Sequence, residues 1–265
     1  MLYLITGSEG YVGSYVKKIF IENNERIKEL TFDLSEDTNY HETYVEDFIV
    51  IHIAGEKSND IKKLIKNNIV ATSYVIKNLV LQEKCKGMVF ISSIAVFGIQ
   101  DEIITENSPF RYENYYGFSK YICEKIICES LIDKNYYILR PTNIYSDDNN
   151  NLIGMISDSI KKGKEFEIWK SSLTTKRNYI HVNEVSKIIY KAAQNLKQGT
   201  IQKSINVASD KTYSLEEIIK FLEKKYNNKL NRKIINNIGY RGRDLLVDNR
   251  LLIEEFGVLD FNFPD

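Results

Sequence analysis

Little in this chain can break it, cross-link it or bind a metal. Its 265 residues include only 3 prolines and 13 glycines, and no Pro/Gly-rich linker or internal repeat divides it. Three cysteines, Cys85, Cys123 and Cys128, form an odd set without paired spacing. That argues against a disulfide frame and for a reducing compartment. His41, His52 and His181 are the only histidines, and no His/Cys cluster forms, so no metal site is expected. Lys+Arg and Asp+Glu both number 36. Zero net charge gives no global field toward nucleic acid or an acidic membrane surface. Clusters such as Lys161-Lys162-x-Lys164 read as solvated surface. No apolar run approaches membrane-spanning length. The first strand begins at Leu2, leaving no room for a targeting leader, so the expected location is the cytoplasm.

What the chain does have is alternation. Short apolar runs, read as strands at Leu2–Ile5, Leu30–Asp33, Phe48–Ile53, Gly87–Ser92 and Tyr136–Leu139, are separated by helical patterns at Val12–Asn23, Asp60–Gln82 and Asn114–Ile132. Alternation of this kind implies right-handed βαβ units in a doubly wound parallel sheet, with ligands at the C-terminal strand ends. The fold class is therefore α/β, a Rossmann-type doubly wound sheet with a small C-terminal α/β lobe. The expected division is 1–146 for the dinucleotide-binding domain and 147–265 for the substrate lobe, with some later strands returning to the main sheet. In that lobe, helices are expected at Leu152–Lys162 and Glu184–Leu196. Strands are expected at Glu165–Trp169, into Val182, and at Ser204–Val207. Ser214 with Glu217 makes a capping box that starts a helix to Tyr226.

Two constellations carry chemistry. Thr6-Gly7-x-x-Gly10-Tyr11-Val12-Gly13 joins the first strand to the first helix. Glycines there let the backbone approach a pyrophosphate, and the helix N-terminus offers free N–H groups to it. About 100 residues later comes Tyr116-Gly-Phe-Ser-Lys120. A spacing of four puts both side chains on one helix face. An ammonium beside a phenol lowers the phenol's pKa and fits it for proton transfer near neutrality. Upstream, the strand Gly87–Ser92 leads into Ser93, so hydroxyls stand at its C-terminal end.

Taken together, these residues resemble the extended short-chain dehydrogenase/reductases, also called the NAD-dependent epimerase/dehydratase family of nucleotide-sugar enzymes. The glycine loop is similar to that family's cofactor loop. His52-Ile-Ala54-Gly55 is similar to its segment after the strand that runs under the nicotinamide ribose, and Asn68-x-x-x-Thr72 to its helix start. Ser92-Ser93-Ile-Ala-Val-Phe97-Gly98 resembles its Ser-Ser-x-x-Val-Tyr-Gly. Leu139-Arg-Pro-Thr-Asn143-Ile-Tyr145, Arg177-Asn-Tyr-Ile-His181-Val, and Arg241-x-x-Asp244 with Asp248-x-Arg250 resemble its substrate segments. The resemblance implies Ser93, Tyr116 and Lys120 as the catalytic triad, with Lys120 also holding the ribose. It implies Gly7, Gly10, Tyr11, Val12, Gly13, Asp33, Leu34, Ala54, Gly55 and Asn68 around NAD or NADP. Ser93, Asn143, Arg177, Arg241 and Asp244 would meet a nucleotide-diphosphate sugar, the two arginines gripping its diphosphate. His181 reads as structural. A homodimer is expected through the Tyr116 helix, whose Tyr121, Ile122, Ile126 and Ile127 are apolar.

Departures from the pattern narrow the reaction. Dehydratases of this family carry an acidic pair directly after the catalytic hydroxyl, where this chain has Ile94 and Ala95. C3/C5 epimerases place a cysteine where it has Ala95. The remaining readings are a nucleotide-sugar 4-ketoreductase, placed first, a 4-epimerase with tightly held NAD, and a non-catalytic dinucleotide-binding protein. Only 14 residues separate Asp33 from Phe48, fewer than in longer members, and this shortening resembles the ketoreductases. Asp33 is either the acid that ends the second strand, favouring NAD, or part of a later Asp-Leu segment lining the adenine. No arginine closely follows the loop, which favours NAD.

Overall fold

The computed structural model describes residues 1–31, 42–146, 151–236 and 242–257. Its centre is a six-stranded parallel sheet. The strands are β1 (Leu2–Thr6), β2 (Arg26–Leu30), β3 (Phe48–His52), β4 (Cys85–Ile91), β5 (Tyr136–Pro141) and β9 (Gln202–Val207), in the order β2-β1-β3-β4-β5-β9. β1 and β3 are fully buried, as continuous apolar runs in a sheet covered on both faces should be. One face is covered by α1 (Tyr11–Glu22). The other is covered by a long helix, α2, made of the contiguous segments Ile61–Leu64, Ile65–Val70, Ala71–Val75 and Ile76–Val80, the second and fourth of them π-helical, and by α3 (Tyr115–Ser130).

The second strand lies four residues earlier than the apolar pattern suggested, at Arg26–Leu30 rather than Leu30–Asp33. Among the described residues it pairs with β1 at the edge of the sheet, with Arg26 exposed, Ile27 to Glu29 half-buried and Leu30 buried. A strand in that position can alternate Arg26, Lys28 and Glu29 with apolar residues, so an apolar run is the wrong signal for it. Asp33 and Leu34 lie outside the described residues.

Beyond β6 (Asn143–Tyr145) come α4 (Leu152–Lys162), β7 (Phe166–Trp169) and β8 (Lys176–His181). Then α5 (Val182–Asn195) and β9 return to the main sheet. Val185, Ile188 and Ile189 of α5 share a core with Tyr3, Val16 and Phe20. The small lobe is completed by β10 (Thr212–Ser214), α6 (Leu215–Tyr226) and β11 (Arg232–Ile235), with its own apolar cluster around Ile156, Ile160, Ile218 and Leu222. Its three-stranded sheet runs β10-β8-β6. The Ser214/Glu217 capping box is present. Finally α7 (Arg250–Phe256) packs beside β9.

Candidate active site

A cleft of about 540 Å³ opens at the C-terminal ends of β1, β3, β4 and β5, where an open parallel sheet places its ligands. The glycine loop forms one wall, with Gly7, Gly10, Tyr11, Val12 and Gly13 lining it. A Cβ at Gly13 would stand 1.9 Å from the Gly7 carbonyl oxygen, so the loop closes on itself only because that side chain is absent. Gly10 caps α1 without any side chain bonding its first N–H groups, and no acid occupies the first turn. The helix therefore turns bare N–H groups and its positive dipole end to the cleft. An anion such as a pyrophosphate fits there, and the residues present suit a dinucleotide.

The opposite wall carries Ser93, Tyr116 and Lys120. Ser93 sits just past β4 and caps the short 3-10 turn Ile94–Phe97, its Oγ accepting from Ala95 N at 3.2 Å. Helix α3 starts where Asn114 Oδ1 accepts from Gly117 N at 2.8 Å. At Gly117 the helix presses on that turn: a Cβ there would meet the Ala95 carbonyl oxygen at 2.4 Å. This contact brings Tyr116 into hydrogen-bond range of Ser93.

Electrostatically the triad differs from the expectation. Burial raises the Tyr116 phenol above its ordinary pKa; the hydrogen bond with Ser93 pulls it down, and Cys123 adds to the rise. Lys120 is engaged elsewhere. The ammonium is fully buried and donates to the Ile91 carbonyl at 2.8 Å. It lies 4.8 Å from the centre of the Phe90 ring, and burial lowers its own pKa. The residues expected to be coupled directly are thus arranged around one strand end, with Ser93 as the phenol's immediate partner.

His52 is buried beneath this wall in a hydrogen-bonded chain. Ala54 N donates to Thr6 Oγ1 (3.2 Å), and Thr6 Oγ1 shares a hydrogen bond with His52 Nδ1 (2.7 Å). His52 Nε2 then meets Thr72 Oγ1 (3.0 Å), whose hydroxyl points to Cys123 Sγ (3.5 Å). His52 thus engages a hydroxyl at each ring nitrogen, Thr6 at Nδ1 and Thr72 at Nε2. Burial first, and the Lys120 charge second, push its pKa down to about 3.

Other expected site residues divide sharply. Ala54, Gly55 and Asn143 line the cleft. Asn68 does not: it is buried, accepts from Glu56 N (2.7 Å), and donates to Glu56 O (2.9 Å) and Ser119 Oγ (2.8 Å). It braces the loop after β3 against α3 instead of facing a ligand. Arg177 donates to the carbonyls of Lys176 and Arg243, and Asp244 accepts from Lys176 N at 2.7 Å. Both bind the C-terminal segment to β8, and neither lines the cleft. Arg241 lies outside the described residues. His181 caps α5, accepting from Asn183 N at 3.2 Å, as a structural residue should. Phe97, which stands where the family has a tyrosine, is buried and stacked on Phe110, away from the cleft. Tyr145, Tyr179 and Thr142 line the cleft without having been singled out. The first two sit beside Ile144 in β6 and Ile180 in β8, a pattern that does not say which face is wet. No group of residues suited to a metal ion occurs among the described residues.

Comparisons with known proteins agree with this geometry. The family model described as the NAD dependent epimerase/dehydratase family matches residues 3–208. A UDP-glucose 4-epimerase from Halalkalibacterium halodurans is 26% identical, across 83% of this chain and 78% of that protein. The structure of a UDP-glucose 4-epimerase from Brucella ovis in complex with NAD superimposes with a TM-score of 0.86 at 19% identity, covering 100% of this chain and 94% of that one. That of RMD from Pseudomonas aeruginosa, complexed with NADPH, gives 0.83 at 20%, covering 97% and 92%. The fold and family expectations are met. Between the two leading reactions, the relatives favour the 4-epimerase over the 4-ketoreductase placed first.

Proposed function

Since the chain belongs to the NAD-dependent epimerase/dehydratase family, we propose that it is a nucleotide-sugar 4-epimerase, acting on a UDP-hexose with a retained NAD. The observation that carries this reading is the Ser93–Tyr116 pair at the mouth of a glycine-walled cleft, followed by Ile94 and Ala95. Such a site handles one proton at a sugar hydroxyl. It has no acidic pair after Ser93 to expel water and no cysteine there to work the ring's other face.

A bound nicotinamide ring supplies the reversible hydride acceptor. The chain's own residues do the rest. Ser93 Oγ and Tyr116 Oη hold the C4 oxygen, and Tyr116 removes its proton on oxidation and returns it on reduction. Burial makes the phenol a reluctant acid, so it keeps its proton until a positive charge enters the cleft. Lys120 holds the ribose edge, Gly7 to Gly13 hold the pyrophosphate, and Asn143 meets the substrate. Arg177 and Asp244 act from outside the cleft, tying the C-terminal segment to β8; the substrate role proposed for Arg241 and the adenosine role proposed for Asp33 and Leu34 fall on residues outside the described ones. A cytoplasmic homodimer is part of this reading. Ile61, Ile65 and Val70 of α2 are exposed beside α3, whereas Ile127 is core. Sedimentation at micromolar concentration tests the dimer, and a monomer refutes it.

The decisive experiment denatures freshly purified protein, identifies any released dinucleotide, and incubates native protein with UDP-galactose and no added cofactor. Stoichiometric NAD and conversion to UDP-glucose are expected. An empty site, no isomerisation, and dinucleotide consumption with a 4-keto nucleotide sugar would move the reading to the ketoreductase. The short 33–48 interval is the feature that favours that alternative.

A further inference from the structure

Tyr116, Lys120 and Glu124 occupy successive turns of one face of α3, at i, i+4 and i+8. Their partners are consecutive at the end of β4. Tyr116 meets Ser93, Lys120 Nζ meets the Ile91 carbonyl, and Glu124 Oε1 accepts from Ser92 Oγ. Glu124 is buried. It also receives a bidentate pair from Arg140, Nε to Oε1 at 2.9 Å and Nη2 to Oε2 at 2.8 Å. Arg140 is itself buried. Its guanidinium lies 4.9 Å from the centre of the Phe97 ring, under the segment that carries Ser93. Its Nη1 makes no hydrogen bond among the described residues. From Arg140 the chain runs directly into Pro141, Thr142 and Asn143, which line the cleft.

A buried ion pair is weak evidence for stability, because desolvation offsets the attraction. This one sits where three functional segments meet, so a geometric role accounts for it better. We propose that Glu124, clamped by Arg140 and Ser92, is the positioning residue of the site: it fixes α3 against the ends of β4 and β5 and so sets the Ser93–Tyr116 and Lys120–Ile91 contacts. Its carboxylate also serves as a counter-charge one turn from the buried Lys120. The charged or titratable groups that face Lys120 are Cys123 and Glu124 on its own helix and neutral His52 from β3. Arg140, from β5, is paired with Glu124. Of these, Glu124 and Cys123 favour the ammonium.

The kinetic part of this inference rests on the epimerase reading, so the test has a second readout that does not. The double variant Glu124→Leu/Arg140→Met replaces the pair with apolar groups and leaves no orphaned charge. Its melting temperature, its affinity for NAD, its kinetics on UDP-galactose and the titration midpoint of Lys120 are measured. The titration uses NMR of lysine labelled at Cε, assigned with Lys120→Met. The expected result is a folded protein with kcat at least a hundredfold lower, KM within threefold of wild type, and a Lys120 midpoint shifted down. Wild-type kinetics with an unmoved midpoint would overturn the proposal. If the double variant does not fold, Ser92→Ala, which removes one hydroxyl, takes its place. A roughly tenfold loss in kcat at unchanged melting temperature then supports the proposal, and wild-type kcat refutes it. If the wild-type protein isomerises no UDP-sugar, the epimerase reading fails by itself. The Lys120 midpoint in the double variant then decides: shifted supports the proposal, unmoved refutes it.

Discussion

The cleft and the region beside it are built on different principles. The wall from the glycine loop to α3 is made of backbone approach and fixed spacing. Gly13 fits against Gly7, Gly117 against Ala95, and Tyr116, Lys120 and Glu124 repeat every four residues. The side formed by β8 and the chain after Gly242 is made of long side chains that reach to another segment's backbone. Arg177 holds the Arg243 carbonyl and Asp244 holds the Lys176 amide. In the first case the local sequence dictates the contact. In the second, the residue types are compatible with gripping a ligand or gripping the protein, and only the partner's position decides.

That contrast can be broken, starting where one atom matters most. Tyr116→Phe should reduce epimerisation by at least about a thousandfold, equivalent to about 4 kcal/mol of barrier. The melting temperature should move little, since the ring remains. Turnover and thermal unfolding measured on the same sample check this, and a fully active variant would end the proposed mechanism.

The next effect concerns the buried chain through His52. Its folded pKa of about 3 lies below the ordinary value of roughly 6.5. Between those two values the unfolded state binds the extra proton, so stability is fully present above pH 6.5 and is lost as pH falls toward 3. The slope should be about 1.4 kcal/mol per pH unit within that window. Urea unfolding at pH 7.5, 6 and 5 should show it, and His52→Gln should flatten it. Equal slopes in the two proteins would mean that other groups carry the acid sensitivity.

Gly13→Ala comes third. The added Cβ meets backbone, not a flexible side-chain end. The loop must therefore shift, at a cost of about 1–3 kcal/mol, as for overpacking elsewhere. Affinity for NAD, read by calorimetry, should fall about tenfold to a hundredfold. Arg177→Ala, on the other side, should do less. We expect KM for the nucleotide sugar to rise about tenfold, or about 1.4 kcal/mol, with kcat within twofold and a melting temperature a few degrees lower. A larger effect from Arg177 than from Gly13 would invert the comparison between the two regions.

Much of the fold could be read in advance for the same reason that the first wall could. β1, β3, β4 and β5 are buried on both faces, so their apolar runs announce them, and α4 was placed to the residue. The edge strand β2 was misplaced because a half-solvated strand can be charged. Lys120 was correctly paired with Tyr116 in spacing, but its partner is a main-chain carbonyl, and a carbonyl leaves no signature in sequence. Asn68 was found by its motif, yet it faces the protein interior. Glu124 and Arg140, the pair beneath the site, passed unnoticed, although Glu124 continues the four-residue repeat of Tyr116 and Lys120.

The sequence by itself determined the strand–loop–helix cradle, the catalytic helix face and the absence of an acid or cysteine after Ser93. Each follows from steric rules or helical period acting over a few neighbouring residues. Only the tertiary structure decided what those side chains face: burial lifts the phenol, a strand-end carbonyl takes the lysine, and a buried carboxylate joins three segments far apart in the chain. These outcomes depend on desolvation and on partners brought together by the packing of α3 against the sheet, and no local pattern encodes either.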